Sequence, residues 1–569
     1  MMVRSVSSGA TAQSRQAPSP WILTPWLDLV LFVGTPLLII PSFFAAQRRW
    51  KVEDLSLVVA SFGAIGHHLP GMLRAYGDRA LFTRFRWRFS IAPLLLASTC
   101  LVFALRDLNG IVLVVYLWGV WHGLMQTYGF LRIYDAKAGP SSPVTARLDH
   151  AMCVTWFATA VVVSPSRVTN ILTVFYTSGG PLIEPSAIEA LQTTLIALTA
   201  LVTVAFVCHT TWMWWRGRPV SMVKLLLMAT SFGFFWYANV VIKNLLVGIA
   251  LFEVFHDVQY LSIVWMFNVN RVQKDPGVGA FTRFLFRRSG ALVGVYVGLV
   301  VAYGSLNLVS TTLSTGLVRR TLTGLLAASA LLHFYYDGFI WKVRERSTRL
   351  SLGLSGGTPE QGAAVGPAWL LHGAKWSLFV LPVLTLGLAE VQGRAPELER
   401  ARAIAQAAPA SAPAQEHFGV LLAGAGRTDE AVARLREAVR LDPANAEAHS
   451  NLGVVLGRAG MLADAVAHYR TAIQIDPGDA LTHVNLGNTL SKLGQFPEAI
   501  QHFEEALRIN PNRFDAQIDW GAALLRQGSL DEAIAHFREA LRISPNHPQA
   551  LSNLAVARHL LEQRAPSIR

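Results

Sequence analysis

Long apolar runs fill the first two-thirds of the chain, and a different, shorter period fills the rest. Up to about residue 392, apolar runs alternate with short polar loops, and many are about 20 residues long, the length that an α-helix needs to cross a bilayer. Eleven runs qualify: 24–45, 54–73, 90–106, 110–131, 148–165, 188–211, 225–241, 244–268, 289–309, 321–341 and 368–390. The stretch 168–186 is predicted as a re-entrant or surface loop. The pattern predicts an all-α fold, with a polytopic transmembrane helical bundle in residues 21–392.

The region after residue 392 repeats itself every 34 residues. Small residues recur at this spacing and a proline closes each unit: Gly419, Gly453, Gly487 and Gly521; Ala431, Ala465, Ala499 and Ala533; Ala438, Ala472, Ala506 and Ala540; Pro443, Pro477, Pro511 and Pro545. Small side chains let two helices approach closely, and proline ends the second helix. The pattern resembles the tetratricopeptide-repeat (TPR) family over residues 412–547, which implies four repeats in an α-solenoid whose groove binds a protein or peptide. We expect a linker and lead-in helix at 393–411, and a capping helix and tail at 548–569.

The charges indicate how the chain sits in a membrane. The net charge is +13, but the basic residues of the first region lie mostly in short loops, so we expect the lipid bilayer and no nucleic acid as a partner. Loops after even-numbered runs hold twenty Lys and Arg, against eight after odd-numbered runs. The positive-inside rule then places the N-terminus in the cytosol, and eleven spans place the repeats on the extracytoplasmic side. Residues 1–20 have no acidic residue and no apolar core, which predicts a disordered cytosolic tail. We expect a multi-pass protein of a bacterial inner membrane.

Ionisable residues interrupt four of the apolar runs. They are His67 and His68 in the second run, His122 in the fourth, Glu253 and His256 in the eighth, and His333 and Asp337 in the tenth. Such residues are costly inside a bilayer and usually functional. His122, His256 and His333 each fall about 12 residues into their runs, so at a rise of about 1.5 Å per residue they lie at one depth. The set therefore predicts a layer of polar side chains inside the bundle.

This layer has the composition of a metal site. Glu253 and His256 have the Glu-x-x-His spacing that gives two ligands from one helix in di-iron bundles, and imidazole with carboxylate suits iron, zinc or manganese. We expect His67, His68, His122, His256 and His333 as candidate metal ligands, and Glu253 and Asp337 as catalytic carboxylates that bind or orient the metal.

The same residues allow simpler interpretations. A single histidine in a span can just form a hydrogen bond to a neighbouring helix. His67 and His68 point about 100° apart on a regular helix, so only one of them would face the site. Asp257 could form an intramembrane ion pair with Arg74 or another cation. The eight histidines of the repeat region, at positions 417, 449, 468, 483, 502, 536, 547 and 559, are predicted to face solvent without a function.

The histidine layer resembles two groups of integral-membrane oxygenases. One is the fatty-acid desaturases and hydroxylases, and the other is the bacterial β-carotene-cleaving oxygenases, in which histidines hold iron inside a helix bundle. The desaturase motifs HxxxH and HxxHH are absent as written, so the resemblance implies a reaction class only. It implies an iron-dependent oxidative enzyme that acts on a lipid-phase substrate.

Two other functions remain open. Some polytopic glycosyltransferases carry an outer C-terminal TPR array and use acidic residues of an early outer loop, where this chain has Glu53 and Asp54. Trp121-His122-Gly123 resembles the motif around the histidine of membrane-bound O-acyltransferases. A non-enzymatic protein is the third interpretation: a membrane scaffold or transporter that recruits partners through its repeats, with the histidine layer as a proton or ion path.

Overall fold

The fold is known from a computed structural model, which describes residues 19–139, 142–274, 278–287, 290–313, 316–340 and 368–564, together with residues 352 and 354. All secondary-structure elements in these residues are helices. The chain divides into two compact units, Met1–Ala395 and Pro396–Arg569. The tail predicted at residues 1–20 lies almost wholly outside the described residues.

The first unit is built from α-helices with three π-helical segments. The α-helices are α1 (Pro25–Asp28), α2 (Thr35–Gln47), α3 (Val52–Val58), α4 (His68–Gly77), α5 (Arg79–Leu105), α6 (Gly110–Ala138), α7 (Pro143–Val163), α8 (Pro165–Thr177), α9 (Pro185–Trp215), α10 (Met222–Trp236), α11 (Leu245–Lys274), α12 (Ala280–Leu285), α13 (Gly290–Thr312), α14 (Leu317–Ile340) and α15 (Ala368–Gln392). The π-helical segments are Leu29–Val33, Val59–Ile65 and Tyr237–Val241.

Seven helical spans in the described residues are long and apolar enough to cross a membrane: Val52–Gly77, Leu81–Leu105, Gly110–Ala138, Pro185–Trp215, Met222–Val241, Leu245–Gln273 and Leu292–Thr312. Two bent pairs, Pro25–Val33 with Thr35–Gln47 and Pro143–Val163 with Pro165–Thr177, bring the number to nine if each pair is one span. The predicted spans 321–341 and 368–390 correspond to α14 and α15, which are not among the nine. Helix α14 carries Arg319, Arg320, His333 and Asp337, and α15 contributes a shorter apolar helix, Trp376–Gln392.

Much of the apolar surface of these helices is exposed. Helix α9 is the clearest case, since Leu201, Trp214 and Trp215 are 66%, 76% and 80% exposed. A soluble protein rarely exposes contiguous apolar surface on this scale. The long apolar helices are therefore compatible with a membrane protein.

The second predicted span is not one regular helix. The π-helical segment Val59–Ile65 joins α3 to α4, and the Gly66 N–H donates to the Ser61 carbonyl five residues earlier, at 3.2 Å. A π-helical turn shifts the following residues around the helix axis relative to an α-helix. His67, which precedes α4, and His68, its first residue, therefore do not have the directions around the axis that one regular helix would give them.

The stretch 168–186, predicted as a loop, is helical in its first half. Helix α8 continues to Thr177 and is bent by 81° from α7. The bend occurs where Ser164 takes an extended conformation and caps α8 through its side chain, followed by Pro165 at the first position of the helix. Proline is well tolerated at that position because it needs no hydrogen-bond donor there.

Some of the basic residues that were assigned to cytosolic loops form ion pairs within the bundle. The Lys224 Nζ lies 3.1 Å from an Asp135 oxygen and 3.0 Å from an Asp149 oxygen, which ties α10 to α6 and α7. An Arg271 nitrogen lies 2.8 Å from the Asp78 carboxylate. Lys224 and Arg271 therefore link segments of the bundle in addition to any effect on orientation.

The second unit is an array of helix pairs. Its lead-in helix is Glu397–Ala407, and its last helix is Pro548–Arg564. Between them the first and second helices of the four pairs are Ala412–Gly424 and Thr428–Leu441, Ala446–Arg458 and Leu462–Ile475, Ala480–Lys492 and Phe496–Ile509, and Phe514–Gln527 and Leu530–Ile543.

The glycines of the 34-residue period lie where the helices of a pair touch. A Cβ atom at Gly487 would lie 2.7 Å from the Phe503 ring, and one at Gly521 would lie 2.6 Å from the Phe537 ring. Both rings are fully buried. The close approach that the sequence predicts at these positions is confirmed.

The expectation that all histidines of the array face solvent is wrong. His449 and His483 are 6% and 5% exposed, because they lie on the first helix of a pair and face its second helix. Each contacts another histidine, His468 or His502, which is half-buried.

Candidate metal site

Four segments of the first unit bring five histidines into one cluster. His67 and His68 lie at the start of α4, His122 on α6, His256 on α11 and His333 on α14, and their exposed fractions range from 0% to 7%. The ring centroid of His67 lies 4.9 Å from that of His68, 5.1 Å from His256 and 4.7 Å from His333. The ring centroid of His122 lies 5.0 Å from His256 and 4.7 Å from His333. The structure thus gathers side chains that are up to 266 positions apart in the sequence.

Two oxygen atoms determine the tautomer of His67. Its Nδ1 lies 2.8 Å from the Asp257 Oδ1 and 3.0 Å from the Gly63 carbonyl oxygen. Because both neighbours accept hydrogen bonds, Nδ1 carries the proton and Nε2 keeps a lone pair. That Nε2 is buried and has no hydrogen-bond partner in the described residues. A histidine whose other nitrogen donates to a carboxylate or a carbonyl is the usual arrangement at metal sites.

His122 and His333 face each other through their Nε2 atoms, which are 3.2 Å apart. Two lone pairs cannot face each other at that distance without a proton or a cation between them. Both Nε2 atoms lie 3.8 Å from the Asp337 Oδ2, and the Tyr260 hydroxyl donates to the other oxygen of Asp337 at 3.0 Å. The three side chains form a group of two imidazoles and one carboxylate, a ligand set that suits non-haem iron.

The donor atoms form two overlapping groups. His67, His122 and His256 form one, and His122, His333 and Asp337 form the other, and within each group all donor atoms lie within 4.8 Å of one another. Three ligand atoms that bind one ion at about 2.1 Å lie about 3.0–3.6 Å apart. Inward movements of up to about 1 Å by the donors would bring them to that separation, and imidazole and carboxylate donors are of the kind that binds such an ion.

Gly71 keeps the space beside the cluster free. A Cβ atom there would lie 3.2 Å from the His333 Nδ1 and from the Tyr260 oxygen, and 3.6 Å from an Asp337 oxygen. Gly71 lies on α4, one turn after the two histidines. The small residue thus allows α4 to pack directly against the polar side chains of α11 and α14.

Some residues that the sequence predicts as metal ligands or catalytic carboxylates belong to neither donor group. His68 is in the cluster, but its Nδ1 lies 3.0 Å from the Ser329 hydroxyl, and neither donor group includes it. Glu253 is likewise in neither group, although the Glu-x-x-His spacing predicts that it shares a metal with His256.

Asp257 has a partner that the sequence analysis did not predict. Its carboxylate contacts His67, and it also lies against Gly63, where any side chain would collide with it. The Arg74 guanidinium, which was considered as its partner, packs 4.0 Å from the centre of the Phe267 ring. The sequence does place Asp257 near the predicted metal ligands, since it follows His256 directly and lies one helical turn after Glu253.

Comparisons with known proteins concern the repeat unit. A profile of the tetratricopeptide repeat matches residues 418–480 and 484–548. A crystal structure of MamA is 24% identical over 26% of this chain and 86% of that chain, with a TM-score of 0.25. Pseudomonas aeruginosa PilF is 27% identical over 27% of this chain and 69% of its own, with a TM-score of 0.25.

A third similar structure is the first TPR of Spaghetti (RPAP3) bound to an HSP90 peptide. It is 22% identical over 21% of this chain and 93% of that chain, with a TM-score of 0.20. No curated protein sequence matches the chain. The 34-residue period, the paired helices and the profile match agree, and residues 418–548 are therefore tetratricopeptide repeats, a module for protein interaction.

Proposed function

We propose that this protein is a metal-dependent membrane enzyme that oxidises a lipid-phase substrate and recruits a protein or peptide through its repeats. Iron is the proposed metal. The proposed ligands are the imidazoles of His67, His122, His256 and His333, with Asp337 as a carboxylate that binds or orients them.

The proposal rests above all on a buried nitrogen lone pair among other imidazoles. The Nε2 of His67 is buried and has no hydrogen-bond partner among the residues that the structure describes, whereas the Nε2 atoms of His122 and His333, 3.2 Å apart, satisfy each other when a proton lies between them. A buried polar group without a partner costs several kcal/mol (about 2–7) in an apolar environment. A cation that accepts the His67 lone pair would offset this cost, whereas a purely structural cluster would leave it in place.

The protein side chains around the cluster orient the ligands and hold protons. Asp257 and the Gly63 carbonyl keep the proton of His67 on Nδ1, and Tyr260 holds the Asp337 carboxylate through its hydroxyl. Bound iron with an open position would supply dioxygen activation, the chemistry needed to hydroxylate, desaturate or cleave a lipid-phase molecule. The exposed apolar surface of the helices would place the bundle within the bilayer, in the same phase as such a substrate.

The geometry favours this function over a transferase. His122, the histidine of the Trp-His-Gly motif, directs its Nε2 at His333 and Asp337, which suits a ligand better than a lone catalytic base. Glu53 and Asp54 are exposed on α3, and neither belongs to a donor group. A scaffold or transporter would carry the same repeats, so metal content distinguishes these functions.

The proposed topology has eleven spans, a cytosolic N-terminus and an extracytoplasmic repeat array in a bacterial inner membrane. Its support is the excess of basic residues in alternate loops. A cysteine accessibility assay at an introduced site in the repeats, such as Glu562→Cys, tests it in intact cells. Labelling by a membrane-impermeant reagent supports the topology, and labelling only after lysis refutes it.

Metal analysis of the purified full-length protein tests the enzyme proposal. We expect about one iron per chain, and we expect His122→Ala and His256→Ala to lose it together with any turnover of lipid-phase substrate. His150→Gln is the matched control, because His150 lies in the same unit against Trp121 and Tyr128 and outside both donor groups. A wild-type protein without stoichiometric metal, after purification under conditions that retain iron, would show that the proposal is wrong.

A further inference from the structure

The repeats contain a second arrangement of histidines that the proposed membrane chemistry does not use. In the second repeat the Nδ1 atoms of His449 and His468 are 3.0 Å apart, and in the third repeat those of His483 and His502 are 3.1 Å apart. The members of each pair are 19 residues apart, and the two pairs are related by the 34-residue period. The same geometry therefore occurs twice, in adjacent repeats.

The surroundings leave a lone pair on one of the facing atoms of the second repeat. The Nε2 of His449 lies 3.3 Å from the Pro443 carbonyl oxygen. This oxygen accepts a hydrogen bond, so the ring carries its proton on Nε2 and directs a lone pair from Nδ1 at His468. At these distances a proton or a cation lies between the two Nδ1 atoms of a pair. Burial lowers the pKa of His449 and His468 below the ordinary value, which keeps both rings neutral and able to bind a metal at neutral pH.

The distances fit two ligands of one ion. Two imidazole nitrogens that bind Zn²⁺ tetrahedrally at about 2.05 Å are about 3.3 Å apart, close to the 3.0 and 3.1 Å observed. The half-buried rings of His468 and His502 keep the pairs near the surface, where water can occupy the remaining positions around the ion.

The flanking repeats show the same positions without a ligand pair. In the fourth repeat Gln517 takes the place of His449, and its Oε1 accepts from the His536 Nδ1 at 2.7 Å. In the first repeat Gln415 accepts from Arg434 at 3.4 Å. The contact between the two helices is thus satisfied by a glutamine elsewhere in the array, and packing alone does not require two histidines.

We propose that each of these histidine pairs binds one divalent transition-metal ion, with Zn²⁺ the expected ion, so that the array binds two ions with open positions. Imidazole ligands suit Zn²⁺ at neutral pH. These sites lie in the repeat unit and are independent of the proposed iron site.

Equilibrium dialysis of the purified full-length protein against Zn²⁺ alone, followed by metal analysis, tests this proposal. The variants are His449→Gln and the double variant His449→Gln/His483→Gln, which copy the natural arrangement of Gln517 and His536. His559→Gln is the control, because His559 is an exposed single histidine that contacts Gln563. Helical content by circular dichroism checks that each variant is folded.

We expect the single variant to bind one Zn²⁺ fewer than the wild type, the double variant to bind two fewer, and the control to bind the same number. Iron content should be unchanged in all of them, which separates this result from the outcome at the membrane site. Should His449→Gln/His483→Gln fold poorly, His468→Gln/His502→Gln provides the same comparison from the other helix. Equal zinc binding in wild type and folded variants would overturn the proposal and leave the pairs as hydrogen bonds between imidazoles.

Discussion

Replacing Asp257 with asparagine removes the negative charge beside His67 and keeps the shape of the side chain. The Asp257 Oδ1 lies 2.8 Å from the His67 Nδ1, and the Gly63 carbonyl oxygen lies 3.0 Å from the same atom. Loss of a residue that orients a metal ligand typically weakens metal affinity about 10–100-fold, or about 1.4–2.7 kcal/mol. Because the Gly63 carbonyl still holds the proton on Nδ1, we expect Asp257→Asn to weaken iron binding about tenfold.

Asp257→Ala removes both the charge and the oxygen acceptor, so we expect a loss of about 100-fold, the upper end of that range. The assay is a competition between the purified protein and a soluble iron chelator, with the retained iron measured as the chelator concentration increases. His150→Gln should retain iron like the wild type. Equal affinity in wild type and both folded Asp257 variants would refute the inference that this carboxylate orients a ligand.

Gly71→Val should reduce iron content, since even a Cβ atom there lies 3.2 Å from the His333 Nδ1. Gly129→Val is the control, because a Cβ at Gly129 has no atom of the described residues within 4 Å, and equal iron loss in both variants would contradict the proposed clash at Gly71. Phe503→Ala should destabilise its repeat by about 3–5 kcal/mol, the cost of emptying a fully buried aromatic site. Hydrogen exchange in residues 480–509 should become faster, and unchanged exchange rates would show that the ring contributes little. Burial raises the pKa of Glu416, so its folded form holds a proton more tightly than its unfolded form, and its contribution to stability falls as the pH rises from the ordinary carboxyl range to the raised pKa. The free energy of unfolding of Glu416→Gln, measured at several pH values, should not show this fall. A pH profile equal to that of the wild type would show that another group causes it.

Patterns that arise within one helix or one repeat could be predicted from the sequence. The all-α fold follows from the length of the apolar runs, and the repeat array follows from the period of Gly453, Gly487 and the residues around them. The polar layer was also predictable, because His122, His256 and His333 stand out in apolar surroundings. The number of spans was harder, since Pro165 bends one segment sharply and α14 mixes apolar with basic residues.

Contacts between distant segments could not be predicted in the same way. The partnership of Asp257 with His67 depends on how α11 packs against the start of α4, which no local pattern encodes. The histidine pairs of the repeats were within reach, because the spacing of 19 residues occurs twice, at His449 and at His483. Their interpretation as solvent-facing treated each histidine alone, whereas the two helices of a repeat turn that spacing into a contact.

The π-helical segment Val59–Ile65 makes the histidine cluster sensitive to how one stretch of the chain is wound. A π-helical turn holds about one residue more than an α-helical turn, and the segment directly precedes Gly66 and His67. If the same residues formed a regular α-helix, His67 would rotate by about 100° around the axis, away from Asp257 and His122, whereas removing one residue at the same time would largely restore its direction. The position of this ligand therefore depends on the winding of the segment, so a substitution that favours a regular α-helix would separate His67 from its partners although the span stays hydrophobic and helical.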